Sequence, residues 1–228
     1  MRIGPAIAIP GKPRSVLAGP ASFGGSMVFW FHAANGLVDI SGRACTVTPG
    51  GTPPLFVASD AGYNGQPSYD FSAGRSFTMA FNDTIVKAYT MFIVGNAQAI
   101  AAFRVAAASS VGTTAQMLCF NGSDVAYMDD GVAVQSVANW TSKQSVSSLF
   151  NGASSSILVS SLGAALVSGD AGAGAVPTGL SIGQRAGGSL PWGGKITDVI
   201  VYNSGLSLSN RATLHRWAAV TYGTPLAA

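Results

Sequence analysis

The sequence predicts an all-β protein, a sandwich or barrel with one short C-terminal helix and an extended N-terminal arm. Three observations carry this. Twelve segments of four to eight residues are rich in Val, Ile, Phe and Tyr and are bounded by Gly, Asn, Asp or Pro. The 228 residues are 48% hydrophobic and only 9% charged, against about 25% charged in an ordinary domain. Glycine contributes 29 residues, which suits a turn-rich chain. A disordered chain needs low hydrophobicity and high charge, and a coiled coil needs abundant Glu and Lys, so both are excluded. No run reaches the roughly 18 apolar residues of a membrane span. What remains is one domain with its own core. Its surface should be covered by Ser, Thr, Asn and Gly or hidden in an assembly.

Residues 1–22 read as the arm. Pro5, Pro10, Pro13 and Pro20 remove amide donors and block helix, and Gly4, Gly11 and Gly19 loosen the rest. Two readings stand, a solvated tail and an arm that docks on a neighbour. Ile3, Ile7, Ile9, Val16 and Leu17 make it apolar, and Arg2, Lys12 and Arg14 give it charge. Residues 23–228 form the domain. Candidate strands are 27–32, 68–71, 76–81, 89–94, 99–105, 115–120, 125–128, 132–137, 146–150, 155–160, 180–183 and 196–203. Asp129 and Asp130 with Gly131 form a turn between two of them. In 196–203, Ile196, Ile200 and Tyr202 are expected on one face and Val199 and Val201 on the other, with the lone charge Asp198 paired. The helix spans 207–223, capped by Ser207 or Ser209 and ended by Gly223. Leu214, Trp217, Ala218 and Thr221 would form its buried stripe, leaving Arg211, His215 and Arg216 off it.

Charge and cysteines narrow the function. The net charge is +3, but Arg2, Lys12 and Arg14 account for all of it; the rest of the chain carries nine basic and nine acidic residues. With no basic stripe, nucleic-acid binding by the folded body is not expected. Cys45 and Cys119 belong to no metal-binding motif, and buried free thiols are the commoner outcome for such a pair. The N-terminus has only about four consecutive apolar residues where a secretory signal needs roughly seven to fifteen, so export by that route is not expected.

The last fifty residues carry a recognisable pattern: Ile182-Gly183, Trp192-Gly193-Gly194, Ile196, Ile200-Val201-Tyr202-Asn203, Leu206-Ser207, Arg211 and Tyr222-Gly223. It resembles the C-terminal signature of concanavalin A-like lectin/glucanase domains, the LamG-like jelly rolls. Weaker matches follow in order upstream, in 29–44 (with His32 in place of the usual acid), 65–71, 89–94 and 149–152. The resemblance implies a concanavalin A-like jelly-roll β-sandwich over about residues 26–223. Such domains are common in phage virion proteins, as capsid decorations, tail spikes and fibres.

Catalysis of the family's kind is not expected. Its glucanases use paired Glu carboxylates, and all nine acids here are Asp, with no facing pair on a candidate strand. No GxSxG elbow occurs, and SLPWGGK (189–195) imitates a phosphate loop with Ser189 in place of the first Gly and a strand in place of the helix. Sugar binding is the remaining site chemistry, through aromatic faces flanked by Asn and Asp. Candidates are Trp140, Trp192 and Tyr127 with Asn121, Asp124, Asp129 and Asp130; Tyr63 also lies near a turn. The resemblance implies packing for Trp192. A calcium ion needs six to eight oxygens, of which Asp124, Asp129 and Asp130 would supply three; a solvated turn is the simpler reading, and no cofactor is expected. The expected function is thus a non-enzymatic virion subunit, released with the particle and made without a signal peptide. It would contact other virion proteins, copies of itself and host surface glycans. The alternative is a free lectin-like module of a bacterial protein.

Overall fold

The computed structural model describes residues 18–97, 103–111, 116–119, 125–160 and 166–226. Two antiparallel sheets face each other. The first has the order β13 (Leu166–Gly169), β12 (Ser155–Val159), β11 (Gln144–Phe150), β6 (Tyr89–Asn96), β15 (Lys195–Tyr202), β4 (Ser68–Asp70) and β3 (Leu55–Val57), and β1 (Met27–His32) also pairs with β15. The second has the order β10 (Ala133–Asn139), β9 (Val125–Asp129), β8 (Gln116–Cys119), β7 (Arg104–Ser109), β14 (Gly179–Ile182), β5 (Phe77–Ala80) and β2 (Thr46–Pro49). The helix α1 (Leu208–Tyr222) lies on the outer face of the first sheet. The fold is the all-β jelly-roll sandwich with one C-terminal helix that the sequence predicts. Among the described residues no helix is long and apolar enough to cross a membrane.

The main core lies between the sheets, where Phe29, Phe31, Phe71, Phe77, Met91, Ile93, Phe150, Val199 and Val201 meet. Fully burying side chains of this size stabilises by about 1.5–3 kcal/mol each. A second cluster, with Phe92, Ile200, Tyr202, Leu214, Ala218 and Tyr222, fills the space under α1. The central strands β6 and β15 are therefore buried on both faces. The faces of β15 differ from expectation: a register shift between Ile196 and Asp198 turns Ile196 to the inner side with Val199 and Val201.

Three strands, β2, β3 and β13, lie outside the candidates. Each has three or four residues and ends a sheet order or sits beside its edge, so its alternation is too short to read. Of the candidate at 99–105, residues 99–102 lie outside the described residues, and β7 spans Arg104–Ser109. Asp129 accepts from the Gly131 amide at 2.7 Å and the chain returns as β10, so the Asp-Asp-Gly turn forms as read. The 3-10 turn Pro20–Ser26 packs on the sheet, with Pro20 O accepting from the Tyr202 hydroxyl at 3.0 Å, so the fold takes up the chain before residue 23. Arg2, Ile3, Ile7, Ile9, Lys12 and Arg14 lie outside the described residues, as do Asn121 and Asp124.

The helix forms as expected, with Ser207 accepting from the Asn210 amide at 3.2 Å and Gly223 left-handed at φ 68°. Its phase does not. The buried face is Arg211, Leu214, His215, Ala218 and Tyr222, while Trp217 and Thr221 are only half-buried. The cause is a row of serines on the strands below. His215 Nδ1 lies 2.7 Å from Ser145 Oγ and its Nε2 lies 2.9 Å from Ser147 Oγ. Arg211 Nε donates to Ser147 Oγ at 3.0 Å, and its two Nη atoms donate to Ser147 O at 2.6 Å and Ser156 Oγ at 2.7 Å. A polar face can be buried when its groups are hydrogen-bonded. Burial, and then the Arg211 charge, push the His215 imidazole down to about 3, so it is neutral at physiological pH.

Candidate functional site

The sugar-stacking residues expected from sequence do not form a site. Trp140 and Trp192 are both fully buried and pack edge-to-face at 4.9 Å in the main core. Trp140 Nε1 donates to Gly95 O at 3.2 Å and Trp192 Nε1 to Lys195 O at 3.4 Å. Neither ring offers a face to a ligand. Tyr127 lies on the outer face of the second sheet, packed with Val105, Ala108 and Leu190. Asp130 is buried and ion-paired with Lys87, and Asp129 closes its turn. The described members of the expected carbohydrate set are thus dispersed, while Asn121 and Asp124 lie outside the described residues.

The two tryptophans instead support a cleft at one end of the first sheet. Four strand ends meet there: the last residues of β4 and β6, the first of β15 and the residue just before β11. They bring together Asp70, Asn96, Lys143 and Lys195, with Asp60 and Tyr63 from the turn before β4 and Ser72 and Gly193 from adjoining loops. The cleft encloses about 450 Å³. Gly194 allows its close back wall: a Cβ there would stand 2.0 Å from Asn96 O and 2.9 Å from Ala97 Cα.

Its polar groups are held in place. Asp60 accepts from the Gly62 amide at 2.9 Å, Ser68 Oγ at 2.6 Å and Lys195 Nζ at 2.7 Å. Burial alone would raise the Asp60 pKa, but the hydrogen bonds from Lys195, Ser68 and Gly62 outweigh it and hold the carboxyl below its ordinary range. Asp60 is therefore ionised at neutral pH and is unsuited to act as a general acid, which needs a raised pKa. Asp70 accepts from the Ser72 amide at 2.7 Å. Tyr63 donates its hydroxyl to Asn96 Oδ1 at 2.8 Å. Lys143 Nζ donates to Tyr222 O at 2.8 Å and stands 5.8 Å from the Tyr63 ring centre; burial lowers its pKa, opposed by the charge of Asp60. The cleft therefore interleaves fixed acceptors and donors with little net charge.

None of these residues was a sequence candidate except Tyr63, noted only for lying near a turn. Lys195 ends the false phosphate loop and serves here as the partner of Asp60. The one available signal was that the ends of alternate antiparallel strands must converge, which requires the strand order.

A second polar junction lies at the other side of Tyr222. Asp198 is fully buried, as expected of a paired charge: its Oδ1 accepts from Trp30 Nε1 at 2.8 Å and lies 3.1 Å from His32 Nδ1. Tyr222 Oη lies 3.1 Å from the same His32 nitrogen. Burial would lower the His32 pKa, but the hydrogen bond and charge of Asp198 raise it overall. Asp39 orders the turn after β1, accepting from the amides of Trp30, Ser41 and Cys45 at 3.1, 2.9 and 2.9 Å. Cys45 is a free thiol, pushed up to about 11 chiefly by burial.

The sequence matches no protein-family model and no curated protein. Solved structures do match. The receptor-binding domain of botulinum neurotoxin C/D mosaic serotype superposes with a TM-score of 0.66 at 12% identity, over 88% of this chain and 55% of that one. The binding domain of botulinum neurotoxin serotype D gives 0.65 at 11% identity, over 88% and 54%. A structure of botulinum neurotoxin type C, whose cell entry is described as dependent upon interaction with two ganglioside molecules, gives 0.63 at 10%, over 85% and 51%. The chain thus spans about half the length of these structures, and what it shares with them is the β-sandwich fold.

Proposed function

We propose that this protein is a non-enzymatic, carbohydrate-binding β-sandwich whose ligand occupies the cleft between Asp60, Asp70, Asn96, Lys143 and Lys195. The cleft itself carries the reading: ordered acceptors and donors alternate around a volume within the range of small-molecule sites. Such an arrangement suits the vicinal hydroxyls of a saccharide, each of which donates and accepts. Two structural neighbours support it, one solved in complex with SialylT and one described by its interaction with gangliosides. With Tyr63, itself buried, as the one aromatic among the described lining residues of the cleft, affinity per site should be weak, with Kd on the order of 1 mM. A glycan array followed by calorimetry tests this. Asp70→Asn and Lys143→Met should each weaken binding about tenfold or more without altering the β-sheet spectrum. A protein that binds no glycan, or whose binding ignores both substitutions, would overturn the reading.

A second reading concerns context: the chain serves as a virion subunit, with the arm as its assembly element and the particle as its location. It is supported by the proline-rich apolar arm and the 9% charge content. A half-exposed apolar strand at the end of the first sheet adds to it. Assembly of the full chain, lost on removal of residues 1–22, is the expected result. A full-length protein that stays monomeric at high concentration would refute it.

A further inference from the structure

We infer that the edge strand β3 is the docking site for residues Ala6–Ile9 of the arm of a second copy of this chain. The inference rests on the assembly reading and is independent of the glycan cleft. β3 ends the order of the first sheet, and among the described residues no strand pairs with its outer side. Its side chains do not protect it. Leu55 is 53% exposed and Phe56 is 51% exposed. Natural edges are usually blunted by shortness, Pro, Lys, inward charge or a bulge; β3 is short and preceded by Pro53-Pro54, but Leu55-Phe56-Val57 itself carries no Pro, charge or bulge. The neighbouring edge, β2 in the opposite sheet, is Thr-Val-Thr-Pro and is blunted by Pro49. At the other side of the sandwich, β10 packs against β12 and β13. Among the described residues, β3 is the end strand with the most exposed apolar side chains, ahead of Leu166 on β13 at 38%.

The arm contains a segment of matching length and pattern. Ala6-Ile7-Ala8-Ile9 lies between Pro5 and Pro10, so its run of donor-bearing residues is four long against the three of β3. A docked strand would set Ile7 and Ile9 on one face. That face can pack beside Phe56, whose ring already leans on Tyr69 at 5.3 Å.

Geometry favours a second copy as the source. The described chain begins beside Trp217, and Pro20 is held by Tyr202 at the end of β15 remote from β3. A strand added to β3 lies roughly 20 Å back along β15 and roughly 14 Å across the sheet, a direct distance of about 25 Å. From Ile9 to Pro20 the chain reaches about 35 Å at full extension. Trp217, Tyr222 and Tyr63 stand on the outer face along that route, contacting one another in sequence at 5.5 and 6.4 Å between ring centres. An arm serving its own edge spends about 25 of its roughly 35 Å of reach before any detour around them. An exchanged arm has no such constraint, and reciprocal exchange closes a two-fold dimer that leaves neither β3 open.

A complementation experiment in sedimentation velocity tests this on full-length chains. The parent protein should sediment as a dimer. Phe56→Lys, which charges the edge, and Ile7→Asp with Ile9→Asp, which spoils the arm, should each raise the dimer dissociation constant at least about tenfold while keeping the parent circular dichroism. Mixing the two variants should restore a dimer, because one intact arm then meets one intact edge; only exchange between copies does this. If the arm variant is monomeric but Phe56→Lys stays dimeric, the arm docks elsewhere and this inference fails while the assembly reading stands. If the mixture stays monomeric, exchange onto β3 is refuted. A monomeric parent refutes both.

Discussion

Acidification should destabilise this protein well above the carboxylate range, and His215 sets the size of the effect. In the unfolded chain its pKa is the ordinary 6.5, whereas in the fold burial against Ser145 and Ser147, with Arg211 alongside, holds it at about 3. As pH falls through 6.5 the unfolded state therefore binds a proton that the folded state refuses, and stability drops. Between about pH 7.5 and pH 4.5 this amounts to about 2.7 kcal/mol, two pH units at about 1.36 kcal/mol each. For a chain of this length that is a fall in Tm of roughly 5–10 °C. His32 works in the opposite direction: its raised folded pKa contributes stability below the unfolded value that is lost as pH rises through the folded one. Asp39 and Asp60 are held below 3.8, so their stabilisation is lost only as pH falls through their still lower folded values. Urea unfolding followed by tryptophan fluorescence at the two pH values, in a His32→Asn background, isolates the His215 contribution. His215→Gln, which keeps one donor and one acceptor for the two serines, should remove most of the pH dependence. Equal stability at both pH values in the background, or an unchanged dependence in His215→Gln, would refute the argument.

Two further outcomes follow from the packing behind the cleft. Trp192→Ala should cost about 3–5 kcal/mol in denaturant unfolding, because it opens a cavity against Trp140 in the main core. A cost below about 1 kcal/mol would show that the ring is not packed as described. Gly194→Ala forces a Cβ to within 2.0 Å of Asn96 O, so the strand ends must separate. Stability should fall by about 1–3 kcal/mol, and glycan binding should weaken beyond what the stability loss explains; a neutral substitution would count against the close back wall.

The resemblance of the C-terminal residues and the strand-length segments led to the sandwich, because alternation over six to eight residues reports burial directly. The same signal vanishes for Leu55–Val57, where three residues show no period, and that strand turns out to carry the open edge. The cleft was illegible for another reason. Asp60, Asp70, Asn96, Lys143 and Lys195 are scattered along the chain at the ends of different elements, and only the order β11-β6-β15-β4 makes them neighbours. Trp140 shows the converse case, a loop tryptophan that reads as a ligand platform until the fold closes over it, whereas Trp192 packs as the resemblance implies.

By itself the sequence determined the all-β class, the helix from Ser207 to Gly223, the turn at Asp129–Gly131 and the absence of a Glu pair. These depend on local periodicity, capping chemistry and composition, which neighbouring residues contain in full. Tertiary structure alone decided which helix face is buried, that Trp140 is core, and where polar groups converge. Each of those depends on what the opposing surface offers. A row of serines under α1 makes Arg211 and His215 interior residues, and no property of the helix on its own could have said so.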